Sequence, residues 1–99
     1  MILNKEYILE FLRKNKDYLK QNFEVTSISL FGSFARGEET EESDIDLLVE
    51  IEKPTLHNVA GLQIYLEEQF KRTVHVVRKH SRLKERFVKI INRDIIHVS

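Results

Sequence analysis

The chain contains no cysteine. That excludes disulfides and thiolate metal sites, so any chemistry must run on oxygen and nitrogen donors. No apolar run approaches the roughly 20 residues that a membrane-spanning helix needs. The start, Met1 to Glu6, lacks the basic residues and long apolar stretch of a secretion signal, and a cytoplasmic protein with no membrane attachment is the expectation. Net charge is missing too: 16 Lys and Arg offset 16 Asp and Glu. That balance argues against independent binding to a nucleic-acid backbone. There is no internal repeat, linker or low-complexity segment, so residues 1–99 are expected to form a single domain.

Hydrophobic residues make up 41% of the chain, enough for a core and too many for intrinsic disorder. The charges are unevenly placed. Eight acidic residues from Glu38 to Glu52 run without an interrupting base, and nine basic residues from Lys71 to Arg93 are opposed only by Glu85. Two readings stay open: mutual neutralisation, or an acidic cation-binding rim beside a basic surface for phosphates or an acidic partner.

Periodicity predicts a helix from about Lys5 to Gln21 behind an Asn4 cap. Ser27 to Phe31 alternates as a strand, ended by Gly32. Ser33 to Arg36 makes a short helical turn closed by Gly37, and Glu38 to Ser43 is a polar loop. Asp44 to Ile51 is a second strand. Thr55 caps a helix running to Phe70, with Leu56, Val59, Leu62, Leu66 and Phe70 on its buried side. Thr73 to Val77 is a third strand. Ser81 caps a last helix whose apolar stripe is Leu83, Phe87, Ile90 and Ile91, and Asp94 to Val98 is a short edge strand. The fold class is therefore α/β (α+β): a small mixed sheet with helices mainly on one face. The first two strands are joined too tightly for a helical crossover, so they should be antiparallel.

Two features sit awkwardly in so small a core. The second strand carries Asp44 and Asp46, which alternation puts on one face, about 6–7 Å apart along the strand. Two carboxylates so placed converge on a hard cation such as Mg²⁺, whose other positions go to water and substrate phosphates. Before them, with ten residues between Ser33 and Asp44, Gly32-Ser33 stands where a strand turns into a helical segment. Glycine permits close backbone approach, and the serine hydroxyl with the opening N–H groups forms an anion site. Together they offer a phosphate cradle facing a metal pair, which is what Mg²⁺ and a nucleoside triphosphate require. Arg36 either reaches a phosphate or pairs with the acidic loop. His57, His80 and His97 carry no partner pattern and read as surface residues.

The stretch "GSFARGEETEESDIDLLVE" resembles the signature of the minimal nucleotidyltransferases, small members of the DNA polymerase β-like superfamily. The matching positions are Gly32, Ser33, Ala35, Arg36, Gly37, Ser43, Asp44 and Asp46. The resemblance extends over nearly the whole chain. It implies a palm-like mixed sheet, ATP as substrate, one or two Mg²⁺ ions on Asp44 and Asp46, and transfer of AMP. It also implies a partner, since family members are frequently antitoxins of a HEPN-domain ribonuclease toxin. One position departs. The family carries a third carboxylate on a later strand, and the matching segment here is Thr73-Val74-His75-Val76-Val77. His75 takes the acidic position. It is open to three readings: proton acceptor, metal ligand, or a polar residue without a catalytic task. The functional alternative is accordingly a catalytically degenerate antitoxin that neutralises its partner by binding. A chain of this size makes half a cleft, so the acceptor is expected on a separate macromolecule, or a second copy completes the site.

Overall fold

The computed structural model describes residues 3–80 and 85–98. Helices α1 (Lys5–Lys14) and α2 (Lys16–Phe23) lead into strand β1 (Val25–Phe31), the single turn α3 (Ser33–Arg36) and strand β2 (Ile45–Ile51). Helix α4 (Leu56–Phe70), strand β3 (Val74–Arg78), helix α5 (Glu85–Ile91) and strand β4 (Ile96–His97) complete the order. The sheet runs β3-β2-β1-β4; β2 pairs antiparallel with β1 and parallel with β3, and β4 is an antiparallel edge strand on β1. The mixed sheet and the edge position of β4 are as expected. Among the described residues no helix is long and apolar enough to cross a membrane.

The expected single first helix is in fact two. Asn15 interrupts it because its side-chain amide donates to the Phe11 carbonyl at 2.9 Å, the same carbonyl its backbone N–H uses. Side-chain bonding of this kind bends a helix, and α2 resumes at Lys16 with Asn15 as its N-cap. The first cap is as read: the Asn4 side chain accepts from the Tyr7 N–H at 2.9 Å.

Alternation on the strands sorts the sheet into two faces. Ile28, Leu30, Ile45, Leu47, Val49 and Val74 meet Ile8, Leu12 and Leu19 from the first two helices and Leu62, Leu66 and Phe70 from α4 in the main core. Phe34 of α3 is fully buried in the same core. The opposite face carries Phe31 and Leu48, and Ile91 with Phe87 of α5 packs over them. Helices thus cover one face fully and the other in part.

Two expected core positions are exposed. Leu56 is 85% exposed and Ile90 is 60% exposed. At 3.6 residues per turn Leu56 lies about 120° around α4 from Leu62, off the core stripe. The buried residue of that first turn is Asn58, which no hydrophobic pattern would select. Ile90 follows the same rule, since Phe87 and Ile91 form the i, i+4 pair that faces the sheet. The expected cap at Ser81 and the stripe residue Leu83 lie outside the described residues.

Asn58 has a reason to be buried. Its amide donates to the Lys53 carbonyl at 2.8 Å and to Glu24 Oε2 at 2.9 Å, tying the start of α4 to the end of α2. Asn58→Ala leaves both acceptors without this donor. It should lower the unfolding free energy by about 1–3 kcal/mol, read from the midpoint of a urea titration. An unchanged midpoint would show that water replaces the amide without cost.

Candidate active site

The site is built where β1 ends and β2 begins. Gly32 has φ +80°, a conformation that disfavours side chains, and a Cβ placed there would overlap the carboxylate of Asp46. Phe31 is the register partner of Asp46, so Gly32 lies directly past the pair. Removing the side chain from Gly32 is what lets the Asp46 carboxylate lie against the main chain. Ser33 follows and opens α3, which Phe34 anchors in the core and Gly37 closes in the left-handed region.

On the other side of β2, His75 is the register partner of Asp46 in the parallel β2–β3 pair. Its Nε2 stands 2.8 Å from Asp44 Oδ2. Asp44, Asp46 and His75 therefore share one sheet face and one neighbourhood, the face that α5 only partly covers. The side chains of Asp44 and His75 remain 43% and 55% exposed, so the site opens to solvent on one side. Among the described residues, no group of three histidine or acidic side chains is arranged to hold a metal ion as it stands. What the chain offers is two-donor chemistry. Two carboxylates beside a cradle free of Cβ fit a hard ion that takes its remaining oxygens from water and phosphate.

Arg36 pairs with Glu38 of the acidic loop at 3.4 Å and with Asp94 at 3.6 Å. The contact with Glu38 is the pairing with the acidic loop that one of its two readings expects, and its charge also pulls the Asp46 carboxyl down. His57 and His80 are exposed. His97 is exposed as well, and its Nδ1 lies 2.7 Å from the buried Ser29 hydroxyl.

Sequence reasoning missed the residue that holds the acidic loop in place. Arg72, just before β3, donates to the Ser43 carbonyl at 2.7 Å and the Thr40 carbonyl at 3.4 Å, and its guanidinium lies 5.8 Å from the centroid of the Phe34 ring. It joins α3, the loop and β3 immediately before Asp44. Glu67 Oε2 accepts from the Val74 N–H at 3.0 Å and fixes the start of β3 before His75. The only sequence cue was an arginine placed directly before a strand, one basic residue among many.

Burial pushes the Asp46 carboxyl above its ordinary value; His75 pulls it down, Asp44 pushes it up and Arg36 pulls it down. The folded chain therefore holds this proton more tightly than the unfolded chain, and ionisation costs stability. The contribution is most favourable below the unfolded value of 3.8 and is lost as pH rises through the higher folded value. Asp46→Asn should therefore melt above the wild type at pH 7. The gap should narrow as pH falls towards 3.8, measured by circular dichroism across a pH series. A gap that does not change with pH would contradict this environment for Asp46.

Residues 12–98 match the family described as nucleotidyltransferase domain. The chain is 44% identical over 94 residues to a Methanocaldococcus jannaschii protein provisionally named a protein adenylyltransferase, covering 92% of this chain and 94% of that one. A solved structure provisionally identified as a minimal nucleotidyltransferase superposes with a TM-score of 0.75 at 33% identity, covering 95% of each chain. A chain from a toxin–antitoxin crystal structure with AMP-PNP superposes with a TM-score of 0.66 at 26% identity, over 98% of this chain and 73% of that one.

Proposed function

The chain belongs to the nucleotidyltransferase domain family, among its minimal members, and from that premise we propose that it transfers AMP from Mg-ATP to a hydroxyl of a partner protein. The partner we propose is a HEPN-domain toxin, with this chain as its antitoxin and the cytoplasm as the setting. The observation that carries the reading is the seating of Asp46 against Gly32 with Asp44 on the same face. The relatives support the chemistry and a toxin as partner: one bears the provisional name protein adenylyltransferase, and another is a chain from a toxin–antitoxin structure solved with AMP-PNP.

In this mechanism a hydroxyl oxygen of the partner attacks the α-phosphorus of ATP. A new O–P bond forms as the hydroxyl gives up its proton to water, the bond from the α-phosphorus to the α,β-bridging oxygen breaks, and pyrophosphate leaves with that oxygen. Asp44 and Asp46 would hold the ion, which when bound screens charge on the phosphate oxygens. Ser33 and the main chain at Gly32 stand on the phosphate side. The acceptor enters from the flank beside His75, where the side chains of His75 and Asp44 are both about half exposed.

A second reading has its own observation. The contact between His75 and Asp44 engages a carboxylate that the first reading gives to the ion. On that reading the chain binds nucleotide and partner and neutralises by contact alone.

Incubation of the purified partner with Mg-ATP and the wild-type chain should add the mass of AMP to the partner. The variant with Asp44→Asn and Asp46→Asn should still fold and should reduce that transfer by at least about a thousandfold, as expected when groups that act on the transition state are removed. A stable complex with no mass change would select the binding-only reading. Equal transfer by the double variant would sink the assigned site.

A further inference from the structure

Strand β3 is the outer strand of the order β3-β2-β1-β4, and among the described residues no strand lies on its other side. Its main chain shows which groups face outward. The Thr73 carbonyl accepts from the Ile45 N–H at 3.0 Å, and the Lys79 N–H donates to the Val49 carbonyl at 2.7 Å, so both residues turn their main chain to β2. Along a strand these groups alternate in side. His75 and Val77 therefore also face β2, while Val74, Val76 and Arg78 face away. Glu67 accepts from the outward N–H of Val74 at 3.0 Å and so covers the start of this edge. The outward groups of Val76 and the outward N–H of Arg78 have no such partner among the described residues. Native edges are commonly blunted by proline, by a bulge or by charge. β3 has no proline, its register with β2 runs unbroken from Val74 to Arg78, and its cationic residues, Arg78 and Lys79, stand at its far end.

We propose that two copies of this chain pair β3 to β3, antiparallel about a two-fold axis at Val76, and that Lys79 of each copy serves the triphosphate at the other's site. The second half rests on the nucleotidyltransferase reading; the first does not. In this register Val76 exchanges both main-chain bonds with Val76 of the second copy, and each Arg78 N–H meets the Val74 carbonyl of the other. The pairing ends where Glu67 already holds the Val74 N–H. Across the axis Val74 meets Arg78, His75 meets Val77 and Thr73 meets Lys79, so no like charges are opposed. A two-fold axis normal to the sheet leaves both open faces on the same side. Lys79 projects on that face, where its Nζ stands 3.6 Å from Glu50 Oε1. Both side chains are about half exposed, so this pair is weak and the lysine can turn away. Asp44 stands beside Thr73, one residue before the Ile45–Val74 register pair. At about 4.8 Å per strand, the Lys79 backbone of the second copy lies about 10 Å from that of Asp44. A lysine stem spans most of that gap and brings its ammonium to a phosphate held at Asp44. The nearby arginines of the same chain are engaged: Arg36 pairs with Glu38 and Asp94, and Arg72 donates to loop carbonyls. Strand pairing closes the edge and not the face, so the approach of the acceptor stays open. The competing view is that β3 is a short edge kept single by its terminal charges, and that Lys79 serves Glu50 alone.

The test combines sedimentation of the full chain over a concentration series with amide hydrogen exchange followed by nuclear magnetic resonance. Wild type should pass from monomer to dimer, and the Val76 and Arg78 amides should exchange at least about tenfold more slowly in the dimer. Val76→Pro removes a donor that points away from β2, a place where an edge strand tolerates proline. It should keep the circular dichroism of the folded chain and sediment as a monomer. The wild-type exchange rates decide the pairing even if that variant misfolds. Calorimetry with Mg²⁺ and inorganic triphosphate then reads the lysine. Lys79→Ala should weaken triphosphate binding about fivefold or more in the dimer and leave it unchanged in the Val76→Pro background, because the lysine acts only across the axis. A wild type that stays monomeric, or a dimer whose Val76 and Arg78 amides exchange as in the monomer, would overturn the pairing. Protection of these amides only when the toxin partner is present would assign the edge to that partner and overturn it as well. An equal loss from Lys79→Ala in monomer and dimer would overturn the crossed lysine. A strand-paired dimer that binds no triphosphate keeps the pairing and counts against the transferase reading; a chain that transfers AMP as a monomer does the opposite.

Discussion

The site depends on a single close approach. The Asp46 carboxylate occupies the space where a side chain at position 32 would be, and only glycine leaves that space while holding φ at +80°. The approach exists because β1 and β2 are paired in register up to Phe31 and Asp46. One step beyond, the chain must leave the strand, and Gly32 makes that turn. Phe34 then drives α3 into the main core, so the turn cannot drift away from the carboxylate. A one-residue slip of β2 would move Asp44 and Asp46 into the helix-covered core and put Ile45 and Leu47 at the site. The burial of Ile45, Leu47, Val49 and Ile51 therefore also fixes the acidic pair on the open face.

Much of this was legible in the residues, and the rest was not for identifiable reasons. Strand alternation put Asp44 and Asp46 on one face, and Gly32-Ser33 at the end of a strand marked the turn. The mixed sheet followed from the short connection between the first two strands. Side-chain bonds to distant main-chain groups leave no periodic trace. Arg72 reaches Ser43 across 29 positions, and Asn58 reaches Glu24 across 34. The break at Asn15 is a local competition for one carbonyl, invisible to a hydrophobic stripe. Leu56 and Ile90 misled the reading because apolar residues at nearly the right spacing still fall off the core stripe. His75 could be placed on the acidic face from sequence; its contact with Asp44 needed coordinates.

The asymmetry of charge also finds a physical role. The acidic loop crowds Glu38, Glu39, Glu41 and Glu42 beside two aspartates, and like charges so close would spread the loop. Arg36 and Arg72 counter this from two sides, one through carboxylates and the other through carbonyls. Thr40 and Ser43 close the loop with the Thr40 N–H donating to the Ser43 hydroxyl at 2.8 Å. The loop is thereby held short of Asp44, and the face beyond stays open.

The central claim is that Asp44, Asp46 and Gly32-Ser33 direct attack at the α-phosphorus of ATP. Parallel incubations with ATP labelled at the α-phosphorus and at the γ-phosphorus measure this directly on the recovered partner protein. The account predicts that the α-label stays with the partner and the γ-label leaves with pyrophosphate. Retention of the γ-label would make the site a kinase and contradict the account.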